Sequence, residues 1–297
     1  FLLSFGALAA AEDRSFTILA VNDVYRIEGV AAGRLGGLAR LRTLRRELER
    51  ADGDVLVLHG GDVLSPSFVG RLFKGAQMID VLNHLDGDGP AFDRRLFVTF
   101  GNHEFDASGR EGAALLAARV GESRFTWLSA NVRFDRDDAG KPLVGGPALK
   151  KQAIVEIGGI RVGLFGLTTG IQKPDYVATI ADPLATARHH SDALRRAGAE
   201  VVVALTHLSV NQDKGILQRL GAAGPDLIIG GHEHTQLSAE VRGRWVIKAD
   251  SDAVTATVAR VRLDVDDPPA VTFRNVSLGP DAPARDPAVA ERVQDWL

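Results

Sequence analysis

The chain contains no cysteine. This excludes disulfides, thiolate metal sites, a cysteine nucleophile and a lipidated N-terminal cysteine, and leaves Asp, Asn, His and Tyr as donors for any metal, a hard, oxygen-rich set. Net charge is also slight. With 38 acidic residues against 35 basic ones, no polyanion-binding surface is implied, and a nucleic-acid polymer is not an expected partner. No apolar run is long enough to span a bilayer, and there is no internal repeat or low-complexity block. What the chain does have is 297 residues, 45% of them apolar, enough for the core of one α/β domain with insertions.

Phe1 to Ala11 form a short apolar stretch with Ala-x-Ala ahead of Glu12-Asp13-Arg14, the pattern of the back half of a secretory signal. Residues 1–14 are therefore expected to be a signal remnant and the protein to be periplasmic or secreted. A buried strand is the alternative for the same stretch.

Short apolar runs at Phe16–Val21, Val55–Leu58, Leu96–Phe100, Phe125–Ala130, Val201–Leu205 and Leu227–Ile229 predict buried strands. Ala153–Ile157 and Ile160–Leu167 predict a hairpin across Gly158-Gly159, and residues 135–147 a loop. Leu38, Leu41, Leu44 and Leu48 recur at helical spacing, with Arg40, Arg42, Arg45, Arg46 and Arg50 expected on a solvated outer face. Further helices are expected over Ala76–Leu85, around Ala113–Val120, from Asp182-Pro183 to Ala197, and over Asp286–Leu297. His189 and His190 fall beside the apolar stripe of the Pro183 helix and are expected at the surface. Trp245–Ala249, Thr257–Val265 and Val271–Leu278 read as antiparallel strands. Early alternation and late clustering of strands predict two packed mixed sheets with helices outside.

Five of these strand ends carry polar side chains: Asp23, Asp62, Asn102 with His103, His207, and His232 with His234. Ligands bind at the carboxyl ends of strands in open α/β sheets, and carboxylates, a carboxamide and imidazoles suit two adjacent cations. Asp62 is the best candidate to bridge them, with Asp23 and His234 completing one site and Asn102, His207 and His232 the other. Two such ions activate a bridging water as hydroxide and clamp a phosphoryl group. His103 is then free to act as general acid toward the leaving oxygen, with Asp106 fixing its tautomer. His59 is expected to pack or hydrogen-bond nearby rather than bind metal.

Asn22-Asp23, Gly60-Gly61-Asp62, Gly101-Asn102-His103-Glu104-Phe105-Asp106, Thr206-His207 and Gly231-His232-Glu233-His234, in this order, closely resemble the signature blocks of the calcineurin-like metallophosphoesterases, and specifically of the 5′-nucleotidase / UDP-sugar hydrolase family. Ser129-Ala130-Asn131 and Gly166-Leu167-Thr168 also resemble its landmarks. The resemblance implies a four-layer α/β/β/α catalytic domain over residues 15–280, a dinuclear metal centre and hydrolysis of a small phosphate ester. Residues 281–297 then read as a linker-like helix toward the family's C-terminal substrate domain.

One position departs from the pattern. The family's first block is Asp-x-His, and its histidine binds metal, but here the residue is Tyr25. A phenol of solution pKa about 10 needs a strongly acidic ion to coordinate as phenolate, which favours Fe(III) over the other expected metals, Mn, Zn, divalent Fe, Co or Ni. Turned away, it leaves a depleted first site. The leading expectation is an exported, metal-dependent 5′-nucleotidase-like hydrolase. The alternatives are the same centre acting on a cyclic nucleotide, sugar phosphate or sulfur ester, and a catalytically weak metal-binding protein altered at Tyr25.

Overall fold

A computed structural model describes residues 14–297 apart from residues 88, 90, 265–267 and 282. The expected signal remnant, except Arg14, and the expected strand position Val265 lie outside the described residues. In chain order the first third forms β1 (Arg14–Val21), α1 (Leu38–Asp52), β2 (Val55–His59), α2 (Phe68–Phe73), α3 (Ala76–Leu82) and β3 (Leu96–Thr99). Then come α4 (Gly109–Glu122), β4 (Thr126–Leu128), β5 (Val132–Phe134), β6 (Leu149–Lys150), β7 (Gln152–Ile157), β8 (Ile160–Thr168) and β9 (Val177–Ile180). The last part holds α5 (Pro183–Arg196), β10 (Val201–His207), α6 (Val210–Leu220), β11 (Leu227–Gly230), β12 (Leu237–Val241), β13 (Arg244–Lys248), β14 (Thr255–Leu263), β15 (Ala270–Ser277) and α7 (Pro287–Asp295).

The strands form two large mixed sheets, ordered β15-β14-β1-β2-β3-β4-β6 and β12-β13-β11-β10-β8-β7, with β5 and β9 paired apart. β1 to β4 run parallel, as do β8, β10, β11 and β13. These strands are covered on both faces, which is why they read as continuous apolar runs. Three apolar clusters separate the four layers. Leu19, Val57 and Val98 of the first sheet pack against Leu41 and Leu44 of α1, Ile79 of α3 and Leu116 of α4. Between the sheets, Ile18, Leu56 and Phe97 meet Val162, Leu164 and Val203. On the far face, Val202 and Ile228 pack against Ala187 and Leu194 of α5 and Ile216 of α6. The order is α/β/β/α, as the motif blocks imply.

Several local expectations need correction. The arginines of α1 do not form a solvated face: Arg40 and Arg45 are buried, Arg45 at 2% exposure. Arg45 grips Asp93 with two nitrogens, at 2.5 and 3.2 Å, and Arg40 donates to the Gly33 and Gly36 carbonyls. The cause is tertiary for Arg45, which the loop before β3 covers with Asp93, and local for Arg40, which turns back onto the segment leading into α1. His190 is also buried rather than surface-exposed, with Nδ1 against Gln152 Oε1 of β7. β13 is antiparallel only to β12, a strand the apolar pattern missed, and parallel to β11. The helix expected to reach Leu85 stops at Leu82, although Leu85 stays buried.

The expected C-terminal helix forms as α7, with Asp286 accepting from Val289 N as its cap. It docks on the domain: Arg292 and Trp296 Nε1 both donate to Asp80 of α3, and Trp296 packs edge-on to Phe73. The two sheets are also tied by the Asn131 and Thr168 landmarks. The Asn131 amide donates to the Thr168 carbonyl at 2.8 Å and accepts from its N–H at 2.9 Å.

Candidate metal centre

The loops following β1, β2, β3, β10 and β11 meet where the carboxyl ends of the two sheets converge. Close approach is required there: a Cβ on Gly60 would lie 2.8 Å from the Gly230 carbonyl carbon, and one on Gly101 would lie 2.1 Å from Asp62 Oδ1. Asp23, Asp62, His232 and His234 all have positive φ, at 51°, 59°, 92° and 58°. Such non-glycine conformations cost about 1–3 kcal/mol each and persist only where the surroundings enforce them.

Enforcement comes from backbone and buried charge together. Asp23 N donates to Gly61 O, and Asp23 Oδ2 accepts from His232 N at 2.9 Å, which joins the first and last motif blocks. Asn22 pairs its amide with both polar backbone groups of Ala249 and donates to Asp23 Oδ2. Glu104, fully buried, accepts from the N–H groups of Gly101, Asp62, Val63 and Leu64. Asp62 Oδ1 in turn accepts from His103 N at 2.8 Å.

The side chains converge. His207 Nε2 lies 3.3 Å from Asp62 Oδ2 and 3.9 Å from Asp23 Oδ1; His234 Nε2 lies 3.3 Å from Asp23 Oδ1. The His207 and His232 rings stand edge to face with centroids 5.2 Å apart. Tyr25 is not turned away. Its hydroxyl sits 2.8 Å from His234 Nε2, 3.0 Å from Asp62 Oδ2 and 3.3 Å from Asp23 Oδ1. Burial, then the Asp62 and Asp23 carboxylates, push its pKa far above the usual phenol range. Asp23, Asp62 and His234 each offer a ligand atom within 4.8 Å of the others.

The donor set fits metal ions. His207 Nδ1 lies 2.7 Å from the Gly60 carbonyl, which can only accept, so this nitrogen carries the proton and Nε2 presents a lone pair to the centre. That Nε2 and Asn102 Oδ1 are buried without a hydrogen-bond partner, an arrangement costly for polar atoms that nothing coordinates. Burial lowers the His207 pKa, but the adjacent Asp62 and Asp23 carboxylates reverse this and raise it to about 9, the same field that attracts a cation. Burial likewise opposes ionisation of Asp23, yet His234 and His207 bring its pKa down to about 2.

His103 projects from the short turn His103–Phe105, with Nδ1 3.0 and 3.1 Å from the two Asp106 oxygens and Nε2 4.0 Å from Asp62 Oδ2. Asp106 raises its pKa against the opposing effect of partial burial. His59, by contrast, is fully buried, accepts from Gly61 N at 3.2 Å and is held neutral by burial, with a pKa of about 4.

Some supporting residues were not singled out in the sequence. Glu104 and Glu233 stood in plain view inside the two histidine-bearing blocks. Lys248 had one signal, a charge at the end of the apolar run Trp245–Ile247. Its Nζ, fully buried, donates its three protons to Leu208 O (2.6 Å), Gly231 O (2.8 Å) and Glu233 Oε2 (2.6 Å), and forms an ion pair with Asp213 Oδ2 at 2.9 Å. It therefore ties the His207 loop to the His232–His234 loop.

This fold and this donor set define a class. Residues 16–236 match the model of the calcineurin-like phosphoesterases, and the chain belongs to that family, carrying its metal-dependent phosphoester hydrolase domain. It is similar to the venom 5′-nucleotidase of Crotalus adamanteus, 31% identical over 241 residues, which are 77% of this chain and 38% of that protein. It is equally similar to human 5′-nucleotidase, 31% identical over 252 residues, 80% of this chain and 41% of that protein. The chain thus spans about two fifths of the length of these curated relatives. The 5′-nucleotidase precursor of Thermus thermophilus superposes with a TM-score of 0.77 at 25% identity, covering 95% of this chain and 58% of that one. The calcineurin-like phosphoesterase YfkN of Bacillus subtilis, at 18% identity, shares the fold with a TM-score of 0.74 over 96% of this chain and 97% of that one.

Proposed function

We propose that the chain hydrolyses phosphate monoesters in the manner of a 5′-nucleotidase. The observation that carries this reading is the His103–Asp106 pair opening onto the carboxylate–imidazole cluster, with His103 Nε2 4.0 Å from Asp62 Oδ2. Asp62 would bridge two ions, with Asp23, Tyr25 and His234 on one side and Asn102, His207 and His232 on the other. Bound there, the ions would supply an acidified water and withdraw charge from the phosphoryl oxygens.

The chain's own groups do the rest. Asp106 holds the Nδ1 proton of His103 and raises its pKa, so the imidazolium persists toward neutral pH and delivers its proton from Nε2 to the leaving oxygen. The Asn102 amide steadies the phosphoryl group. Glu104 and Lys248 hold the ligand loops so that little reorganisation is left for the reaction.

Phosphate release from AMP and from p-nitrophenyl phosphate by the metal-loaded protein tests the reading. His103→Ala should lower kcat by about 10²–10⁴-fold with metal content unchanged. Loss of metal in that variant would make His103 a ligand, and no release from either ester would end the hydrolase reading. The contact of the Tyr25 hydroxyl with three donor side chains favours a second reading, in which the first ion is held weakly and turnover is low. We also propose export, on the leader-like stretch Phe1–Ala11; finding the native protein in the cytoplasmic fraction would overturn it. No helix among the described residues is long and apolar enough to cross a membrane.

A further inference from the structure

A cavity of about 680 Å³ opens beside the proposed proton donor, lined by both His103 and Asp106. Its position separates it from the phosphoryl site. None of the side chains proposed to hold the ions lines it; the lining runs from the His103–Asp106 pair to residues of α2 and α4. A molecule held there touches the group that would protonate the leaving oxygen, so the cavity is placed for the alcohol half of an ester and not for its phosphoryl half.

The lining says what kind of alcohol. Leu64, Pro66, Leu115 and Leu116 supply an apolar wall. Two cations, Arg71 and Lys74, enter from α2 and its C-terminus. Arg71 Nε is used on the Pro66 carbonyl at 2.8 Å, but neither cation pairs with a carboxylate among the described residues. The acids of the lining are mostly engaged: Asp106 by His103, and Glu104 by four backbone N–H groups. Only Glu111 of α4 stands against the two cations. A volume in the range of small-ligand pockets, an apolar wall and unpaired cations suit a compact body carrying an anion.

Building on the hydrolase reading, we propose that this cavity is the leaving-group pocket, and that Arg71 and Lys74 select alcohols bearing a second anionic group, a carboxylate or a further phosphate. The anionic end is drawn to the α2 side and the apolar body lies along Leu115 and Leu116. The ester oxygen is thereby directed at His103 Nε2.

The test uses the metal-loaded full chain and two esters with the same ring, 4-carboxyphenyl phosphate and phenyl phosphate. The ratio of their kcat/KM values is compared between the native protein and Arg71→Ala/Lys74→Ala, so that intrinsic leaving-group reactivity cancels. The ratio should fall roughly tenfold in the double variant, chiefly through KM. Glu111→Gln should move it the other way. Binding of 4-hydroxybenzoate, measured by calorimetry, should weaken in parallel in the double variant. An unchanged ratio, or 4-hydroxybenzoate binding indifferent to the two cations, would overturn the proposal. If the native protein cleaves neither ester, the 4-hydroxybenzoate measurement alone decides whether the pocket takes an anionic alcohol, and AMP and p-nitrophenyl phosphate decide separately whether the hydrolase reading stands.

Discussion

The two sheets bring different chemistry to one seam. The first ends in oxygen donors, Asp23, Asp62 and Asn102; the second ends in imidazoles, His207, His232 and His234. Their loops are held by opposite means. Under the first sheet's ends the backbone turns N–H groups inward, and the buried carboxylate of Glu104 accepts four of them, burial and the nearby Asp62 pushing its pKa up to about 7. Under the second the backbone turns carbonyls inward, and the buried ammonium of Lys248 donates to two of them and to the Glu233 carboxylate, with Asp213 as a second ion-pair partner. Buried backbone groups must find partners, so an anion serves one loop set and a cation the other. Neither sheet holds a complete donor set, and each set of donor loops rests on a buried charged side chain.

The largest effect should come from the residue the two halves share. Asp62→Ala removes the proposed bridge and should cost roughly 10³-fold or more in kcat, with metal content dropping from two ions toward one by elemental analysis. Two ions retained with near-native turnover would break the bridging assignment. Lys248→Met tests the second half alone. It leaves Asp213 and Glu233 without their cation and should destabilise the protein by about 3–5 kcal/mol in denaturant unfolding. It should also weaken metal binding about 10–100-fold by calorimetric titration with Mn²⁺. Native affinity in a folded Lys248→Met protein would mean that the imidazole loops stand without the clamp.

A subtler difference is one of pH. As the proposed general acid, His103 can give up a proton only while protonated, and its pKa is raised chiefly by Asp106, so kcat should fall as pH rises through that raised value. In Asp106→Asn the raising partner is gone, and the alkaline fall should begin at lower pH. A profile that stays put would leave Asp106 without its tuning role. The smallest change is expected at Tyr25→Phe, within about fivefold in turnover, since Asp23, Asp62 and His234 remain. If the phenol is a ligand to iron, the same substitution should abolish a visible absorption band in the iron-loaded protein; a band that survives places Tyr25 off the metal.

The strands were legible because the central ones, buried on both faces, had to be continuous apolar runs, and the strand-end polar residues stood out against them. The motif blocks conveyed the family and its four layers. Arg45 and His190 were misread because a helix face that looks solvated by periodicity alone is buried once the loop carrying Asp93, or strand β7, folds over it. The β12 strand was missed because an edge strand, half buried with polar alternation, carries a weak apolar signal.

By itself, then, the sequence determined which side chains end each strand, because local alternation of apolar run and polar turn is written in residue order. Only the tertiary structure decided that Asp23 of the first block meets His232 and His234 of the last, that the Tyr25 hydroxyl points at the donors, and that Glu104 and Lys248 hold opposite loop sets. Those contacts join residues up to 211 positions apart, as Asp23 and His234 are, and no local pattern encodes a distance that exists only once two sheets have packed.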